Sequence, residues 1–317
     1  MTPLALTLAL PCRADEPDPG PTVVEAWTAL ESLGPDVRLA EILVCLNGDA
    51  PPHAPAIAAL RAAAESRASH SVDVYLDAGE LLPCRAADAQ VSLTLLHTRR
   101  AGKAIAWNVL RQRARGDIVV FLDSDVHCGS GALAALIDAL RVNPNAVLAG
   151  GRTVVAPRRG WFERVQATPY GVEFPNLSPQ MYGARLAALP PAMPEGLLEP
   201  ERWLELVVGC ERIARVPRAT VAVRLPHTLR DFLRQRVRIE MGKVQIADEY
   251  PGLARRGTRQ PRAGAALARY RPADLGRLAV YLALRESAHL VAAWRYRRRG
   301  TIGVWRQATS TKDWNHR

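Results

Sequence analysis

No run of about 18 uninterrupted apolar residues occurs in the chain, so no segment reads as a membrane-spanning helix. Cysteine is sparse: Cys12, Cys45, Cys84, Cys128 and Cys210 are odd in number and lack metal-ligand spacing. They read as reduced thiols in a cytosolic setting, not as a disulfide framework or a zinc site. The first ten residues lack the basic stretch of a secretory leader, and Pro11-Cys12-Arg13-Ala14-Asp15-Glu16 follows at once. Met1–Leu10 is therefore expected to be a buried first strand. Internal repeats and low-complexity tracts are absent. So is a glycine-rich basic loop after the first strand, which argues against nucleotidyl transfer, since Pro11–Pro21 is not one.

What is present supports a large folded domain. Of the 317 residues 48% are hydrophobic and 23% charged, ordinary values for a globular protein with a substantial core. The net charge of +11 is unevenly placed. Residues 1–242 are neutral, with 26 basic and 26 acidic side chains, whereas residues 243–317 carry 16 basic and 5 acidic ones. A neutral body with a basic tail suggests an anionic surface as partner. No nucleic-acid-binding motif accompanies the tail, so nucleic acid is not the expected partner.

Apolar runs at Leu4–Leu10, Glu41–Leu46, Val72–Leu76, Val91–Leu96, Asp117–Leu122 and Ala146–Val155 read as strands. Helical patterns at Val23–Leu33, Ala54–Ala68, Ala101–Arg115 and Gly131–Arg141 alternate with them. This alternation predicts a mostly parallel sheet covered by helices on both faces. Ligands of such sheets bind beyond the carboxyl ends of the strands. Three polar clusters, Arg13–Glu16, Asn47–Asp49 and Asp123–Asp125, fall there. From Ala156 to Pro194 the pattern weakens and reads as an acceptor-side region. Glu201–Val208 is expected to be helical, Ala219–Arg224 a strand, Thr228–Lys243 a basic amphipathic helix and Gly252–Gly264 a linker. The expected division is a catalytic domain over 1–243 and a basic helical segment over 244–317.

The most informative stretch is Gly102-Lys103-Ala104-Ile105-Ala106-Trp107-Asn108, followed by a strand that ends in Asp123-Ser124-Asp125. Two carboxylates that close repel each other unless a cation neutralises them. Asp-x-Asp after a strand is also a common turn, but here an apolar strand and an upstream Gly-Lys helix accompany it. Together with Pro11–Asp15 and Asn47-Gly48-Asp49, these motifs resemble the family 2 nucleotide-sugar glycosyltransferases of the GT-A fold. The resemblance spans roughly residues 4–242, with Ala14 in place of the usual Asn and Asp15 in place of Glu.

The resemblance implies a GT-A (Rossmann-like) α/β domain, to which the charge pattern of the tail adds a helical, membrane-facing C-terminal segment. It implies Asp15, Asn47 and Asp49 near the base and ribose of a nucleotide-sugar donor. Asp123 would face the ribose or the metal, and Asp125 would ligate Mg2+ or Mn2+ across the two phosphates. Lys103 would add a point charge or orient the base; a solvated helix-start lysine is the alternative. The base of the family's Glu-Asp pair falls on Glu201, with Pro200 in the place of the first acid and Glu199 as substitute. Glu201 also suits the first turn of a helix by charge alone. Gln235-Arg236-Val237-Arg238-Ile239 resembles the family's Gln-x-x-Arg-Trp element, so Arg236 and Arg238 are candidates for clamping a phosphate. Ile239 in place of Trp argues against processive polysaccharide synthesis. His227 is a candidate further metal ligand, or a helix-start histidine bonded locally; His127 reads as loop.

Leu275–Trp294 with the arginines after it has the pattern of an interfacial helix whose basic end meets anionic head groups; a helix packed on the body is the alternative. The expected activity is metal-dependent, inverting transfer of a sugar from a UDP-linked donor to a lipid-linked or cell-envelope glycan acceptor. The expected location is cytoplasmic, peripheral at the inner face of the membrane. A processive synthase, or a silent member that binds a sugar nucleotide or a membrane, are the rival readings.

Overall fold

In the computed structural model the central strands divide their side chains between two layers. The described residues are 3–16, 19–31, 33–49, 71–75, 81–84, 92–156, 160–172, 177–256 and 267–299, with single positions at 58, 60 and 62. Strands β1 (Leu4–Arg13), β2 (Val37–Asn47) and β6 (Ile118–Leu122) alternate between two faces, with one irregularity between Leu39 and Glu41 of β2. Leu6, Leu8, Leu10, Ile42, Val44, Leu46, Ile118, Val120 and Leu122 face one apolar layer. Ala9, Leu43, Cys45, Val119 and Phe121 face the other. A strand buried on both faces has to be apolar at every position, which is why these segments read as continuous hydrophobic runs.

The first layer is filled by α1 (Gly20–Glu31), through Val23, Trp27 and Leu30, and by α3 (Ala132–Val142), through Leu133, Leu136, Ile137 and Leu140. The second is filled by α2 (Lys103–Arg113), through Ala106, Trp107 and Leu110, and by α5 (Pro200–Val208), through Trp203, Leu204 and Leu206. Trp107 stacks on Phe121 at 5.5 Å, and Phe121 on Tyr182 at 5.1 Å. The indole N–H of Trp107 donates to Tyr182 Oη at 2.9 Å, so the one polar pair in this stack is satisfied.

Ten strands form one sheet in the order β4-β3-β5-β2-β1-β6-β9-β8-β10-β7. The remaining members are β3 (Ser71–Tyr75), β4 (Leu81–Cys84), β5 (Ser92–Thr98), β7 (His127–Cys128), β8 (Leu148–Val155), β9 (Met181–Arg185) and β10 (Ile213–Val223). Strands β3, β5, β2, β1 and β6 run parallel. Strand β9 lies antiparallel between β6 and β8. The chain leaves β1 toward β2 and β5, then returns to β6 on the other side, so the order reverses beside β1. That reversal opens a crevice at the carboxyl ends of the strands.

The expected elements over the described part are present, several of them longer than their sequence pattern. The expected helix Ala54–Ala68 lies almost wholly outside the described residues. Strand β9, inside the region of weak pattern, is an addition; it has five residues and includes Gly183, whose missing side chain admits Leu140. The expected division after residue 243 falls inside one continuous helix, α6 (Leu229–Glu249). Helix α6 is capped by Thr228, whose Oγ1 accepts from the Asp231 N–H at 3.1 Å.

Between these lies α4 (Trp161–Ala167), and after α6 come a short α7 (Pro251–Ala254) and the long α8 (Pro272–Arg299). Helix α8 packs along α6: Ala288 and Ala292, both without solvent exposure, meet Val237 and Met241. Tyr281 joins Phe232 and Val165. On the opposite face of α8, Leu275, Val280, Leu290, Val291 and Trp294 are exposed. No helix among the described residues is long and apolar enough to cross a membrane.

Two buried details generate tests. Glu205 of α5 is 3% exposed, and its Oε1 has no hydrogen-bond partner among the described residues. Burial pushes its carboxyl up to about 7, against the opposing charge of Arg202 and a backbone hydrogen bond at Leu177. A raised folded-state value means that the unfolded chain gives up this proton first. Its contribution to stability therefore falls as pH rises from 4.5 to about 7 and is then level. The size is on the order of 3 kcal/mol. Glu205→Gln should flatten that decline in denaturant titrations across the same window; a constant difference between the two proteins would contradict it. Gly242 of α6 lies against the segment before α5, where an added Cβ would come within 2.4 Å of Glu199 Cγ and 2.9 Å of its Cβ. Gly242→Ala should cost about 1–3 kcal/mol by overpacking, despite alanine's better helix propensity. Gly276→Ala on α8, where no atom lies within 4 Å, is the control and should be neutral or stabilising.

Candidate active site

The buried strand β6 delivers its acids to the crevice at a fixed height. Its five residues are all buried, and Asp123 follows directly, its N–H donating to the Gln180 carbonyl at 2.9 Å. Thr22 Oγ1 of α1 lies 3.0 Å from the carbonyl oxygens of both Ser124 and Val126. The Asp-Ser-Asp loop is thus clamped from two sides, and both carboxylates line one cleft of about 780 Å³.

The neighbouring strand ends are tied to the same place. Asn47, at the end of β2, donates to the Cys12 carbonyl at 2.7 Å and accepts from the Gly102 N–H at 3.1 Å. Gly102 has φ 151°, a conformation that favours glycine, and it starts α2. Lys103 follows as the first helical residue. Its ammonium lies 2.7 Å from Asp123 Oδ1 and 2.7 Å from Glu201 Oε1, and it donates to the Pro179 carbonyl at 2.9 Å. Burial alone would depress this lysine, but the charges of Asp123 and Glu201 outweigh it and hold the group above its usual range. Lys103 is therefore a fixed cation at the centre of the site.

Asp125 experiences the opposite balance. Burial, then the charge of Asp123, push its carboxyl up to about 6, with Lys103 pulling it back. Two crowded carboxylates and one lysine leave room for further positive charge. Among the described residues no group of three or more His, Cys, Asp or Glu gathers as a metal cage. The pair suits a hard divalent ion that takes its other ligands from water and a bound phosphate, as Mg2+ or Mn2+ do. The donor set fits such an ion, held by Asp125 and, beside it, Asp123.

Glu201 and Glu199 come from the start of α5. Pro200 occupies the first helical position and Glu201 the first turn, where a helix favours an acid. Glu201 also reaches Lys103, so the two sequence readings of this residue describe one placement. Glu199 is pushed up by burial and held back chiefly by Arg238. Asp15 and Asp49 line the cleft at the ends of β1 and β2, and Asp15 pairs with Arg13, whose Nε lies 2.6 Å from its Oδ1. Arg236 and Arg238, from α6, line the same cleft. His227 does not line this cleft; its Nδ1 lies 2.5 Å from Glu163 Oε1 at the start of α6. His127 lies 2.8 Å from Glu25 Oε2.

Several cleft residues carry no sequence signal. Gln166, Tyr170 and Tyr281 line it from α4, the turn after α4, and α8. Arg236 Nη2 donates to Tyr281 Oη, and the guanidinium carbon lies 5.3 Å from the centre of the tyrosine ring. The Nε atoms of Arg236 and Arg238 and the Oε1 of Gln166 are buried without a hydrogen-bond partner among the described residues. Leaving such a group unmet costs about 1–3 kcal/mol each. Tyr281 was legible only as one apolar position of a helix taken to face outward.

Residues 83–190 match the family model described as glycosyl transferase family 2. Among curated proteins none matches the chain by sequence. A mannosyltransferase from Pyrobaculum calidifontis, solved with GDP-Man and Mn2+, is similar over 96% of this chain and 77% of its own, at 17% identity and a TM-score of 0.56. Glucosyl-3-phosphoglycerate synthase from Mycobacterium tuberculosis, solved with Mn2+, UDP and phosphoglyceric acid, aligns over 82% of this chain and 81% of its own, at 18% identity and a TM-score of 0.48. The matched segment contains the Gly-Lys helix start, strand β6 and the paired aspartates, and the first of these structures shares the sheet on which they sit. Residues 83–190 are thus similar to glycosyl transferase family 2, and they sit in a domain with the GT-A-type fold of the mannosyltransferase structure.

Proposed function

We propose that the chain transfers a sugar from a nucleotide diphosphate donor, UDP-linked in the simplest reading, to a hydroxyl of a lipid-linked or cell-envelope glycan acceptor, with inversion. The observation that carries this reading is the Lys103 ammonium held between Asp123 and Glu201 in one cleft. It sets a donor-side acid and a base at a common station. Asp15, Asn47 and Asp49 would take the nucleoside end at the rim of β1 and β2, and Asp123 the ribose. Asp125, with Asp123, would hold Mg2+ or Mn2+. When bound, such an ion supplies Lewis-acid neutralisation of the charge that builds on the departing diphosphate. The mannosyltransferase with the same sheet was solved with Mn2+ and a sugar nucleotide, which supports this donor class.

The chain's own groups account for the proton. Glu201 is 8% exposed and would accept the proton of the acceptor hydroxyl as that oxygen attacks the anomeric carbon. Lys103 lies 2.7 Å from Glu201 Oε1 and so fixes the direction of its other oxygen. Glu199, whose carboxyl burial pushes up, is the less suited of the two to act as base. Tyr182, in the apolar stack with Trp107 and Phe121, is held protonated by burial and the charge of Glu201.

The outer face of α8 would rest on an anionic membrane. Leu290 is 71% and Trp294 53% exposed, the Arg298 guanidinium lies 4.7 Å from the Trp294 ring centre, and Arg295 and Arg297 stand beside them. Each arginine near such a surface contributes on the order of 1 kcal/mol. The inner face of the same helix packs on α6, which leaves the outer face for the proposed lipid contact.

Two measurements test this. Donor turnover across UDP- and GDP-sugars should require added Mn2+ or Mg2+ and stop with EDTA. Asp125→Asn should abolish it in folded protein, and Glu201→Gln should lower kcat by about 10²–10⁴ while UDP still binds. Equal turnover in EDTA and in Mn2+, or an active Asp125→Asn protein, overturns the metal role. In vesicle flotation the full chain should bind phosphatidylglycerol vesicles and release in high salt, and Leu290→Glu with Trp294→Glu should cut binding at least tenfold. Unchanged binding by the double variant removes α8 as the docking face.

A further inference from the structure

The cleft has two walls of different chemistry. The strand-end wall carries carboxylates: Asp15, Asp49, Asp123 and Asp125. The helical wall, built by α4, α6 and α8, carries Gln166, Tyr170, Arg236, Arg238 and Tyr281. Glu201, tied through Lys103 to Asp123, stands between them. A donor gripped at the strand ends leaves the arginines of α6, which belong to a different element, for the group that receives the sugar.

This second wall consists mostly of hydrogen-bond donors. Arg236 donates one N–H to Tyr281 Oη, so the tyrosine proton is left for a further acceptor. The Nε–H groups of Arg236 and Arg238 are buried and meet no acceptor among the described residues. Tyr170, pushed up by burial and by its neighbour Tyr281, stays a protonated donor. Two acids stand near: Glu199 opposite Arg238, raised by burial, and Glu240 behind Arg236, where it already pairs with Lys243 at 2.7 Å. The exception among the uncharged groups is Gln166, 2% exposed, whose amide nitrogen donates to the Pro226 carbonyl at 2.8 Å and whose Oε1 is unmet. Arginine forks and phenol O–H groups match the several acceptor oxygens of a phosphate, and one amide oxygen matches a neighbouring hydroxyl.

We propose that Arg236, Arg238 and Tyr281 form an acceptor-side anion subsite that takes a phosphate group of the acceptor, with Gln166 accepting from an adjacent hydroxyl. The assignment to the acceptor rests on the glycosyl transfer proposed above; the phosphate site itself does not. Because Tyr281 belongs to α8, the helix that would meet the membrane also completes this subsite. An acceptor phosphate would then be read at the point where α8 and α6 join, whether it comes on a lipid chain or in solution.

The test is calorimetric titration of the full chain with methyl phosphate and with octyl phosphate below its micelle concentration, alone and with Mg2+ and saturating UDP. Binding should persist when UDP is already bound. Arg236→Gln and Arg238→Gln should each weaken it at least tenfold and Tyr281→Phe several-fold, with UDP affinity within twofold of the parent. Tighter octyl than methyl phosphate assigns a lipid-borne source; equal affinity assigns a soluble one. Phosphate displaced competitively by UDP in the unaltered protein, which needs no variant to fold, places these arginines in the donor site and overturns the proposal. So does an absence of phosphate binding, or binding lost with Arg297→Gln and Arg298→Gln but kept with Arg236→Gln. A protein that binds phosphate here yet turns over no donor would refute the activity and leave the subsite standing.

Discussion

The ammonium of Lys103 ties the cleft together, because it meets acids from two distant elements at once. Asp123 arrives from the sheet and Glu201 from a helix roughly 80 residues later in sequence, and both meet the same nitrogen at 2.7 Å. Burial, then the nearby charge of Asp123, raise the Asp125 carboxyl. Without the lysine, these carboxylates would repel across a partly dry cavity, where charge interactions are several-fold stronger than in water. The lysine in turn depends on backbone placement. Asn47 ties the end of β1 to the start of α2 through its two amide atoms, and Gly102 turns the chain so that α2 begins on Lys103.

Around that centre the fold divides its labour by element type. Parallel strands buried on both faces cannot shift without carrying two apolar layers with them, so the acids at their ends are rigidly spaced. The helical wall is assembled later in the chain from α4, α5, α6 and α8, whose relative positions depend on close approaches such as Gly242 against Glu199. Specific recognition belongs on such a wall, because its side chains vary without disturbing the sheet. Helix α8 links this wall to the outside: Tyr281 reaches Arg236 inside, while Leu290 and Trp294 remain exposed.

Local spacing made much of the site legible before the fold was known. Strand β6 followed by Asp-Ser-Asp announces itself, since five apolar residues can end at a sheet rim only by exposing what comes next. The Gly-Lys pair and Glu201 after Pro200 are likewise short-range patterns with few conformational solutions. Strand β9 was not legible, because five residues buried between two strands leave no alternation to read. The pairing of His227 with Glu163 was equally hidden, since neither residue's neighbourhood in sequence points to the other. Two readings of α8 were open in the sequence, a lipid-facing helix or one packed on the body, and its inner face packs on α6.

The sequence by itself determined the class of sheet, the placement of the acid pair and the lysine beside it, and the concentration of positive charge in the last 75 residues. These are properties of neighbours along the chain, set by strand and helix periods and by residue type. Only the tertiary structure decided that one ammonium would serve both Asp123 and Glu201, and that Tyr281 would close a wall begun by Arg236 more than 40 residues earlier. Those contacts depend on how helices pack across a sheet, which is settled by the summed burial of many apolar side chains and has no signature in any one stretch of sequence.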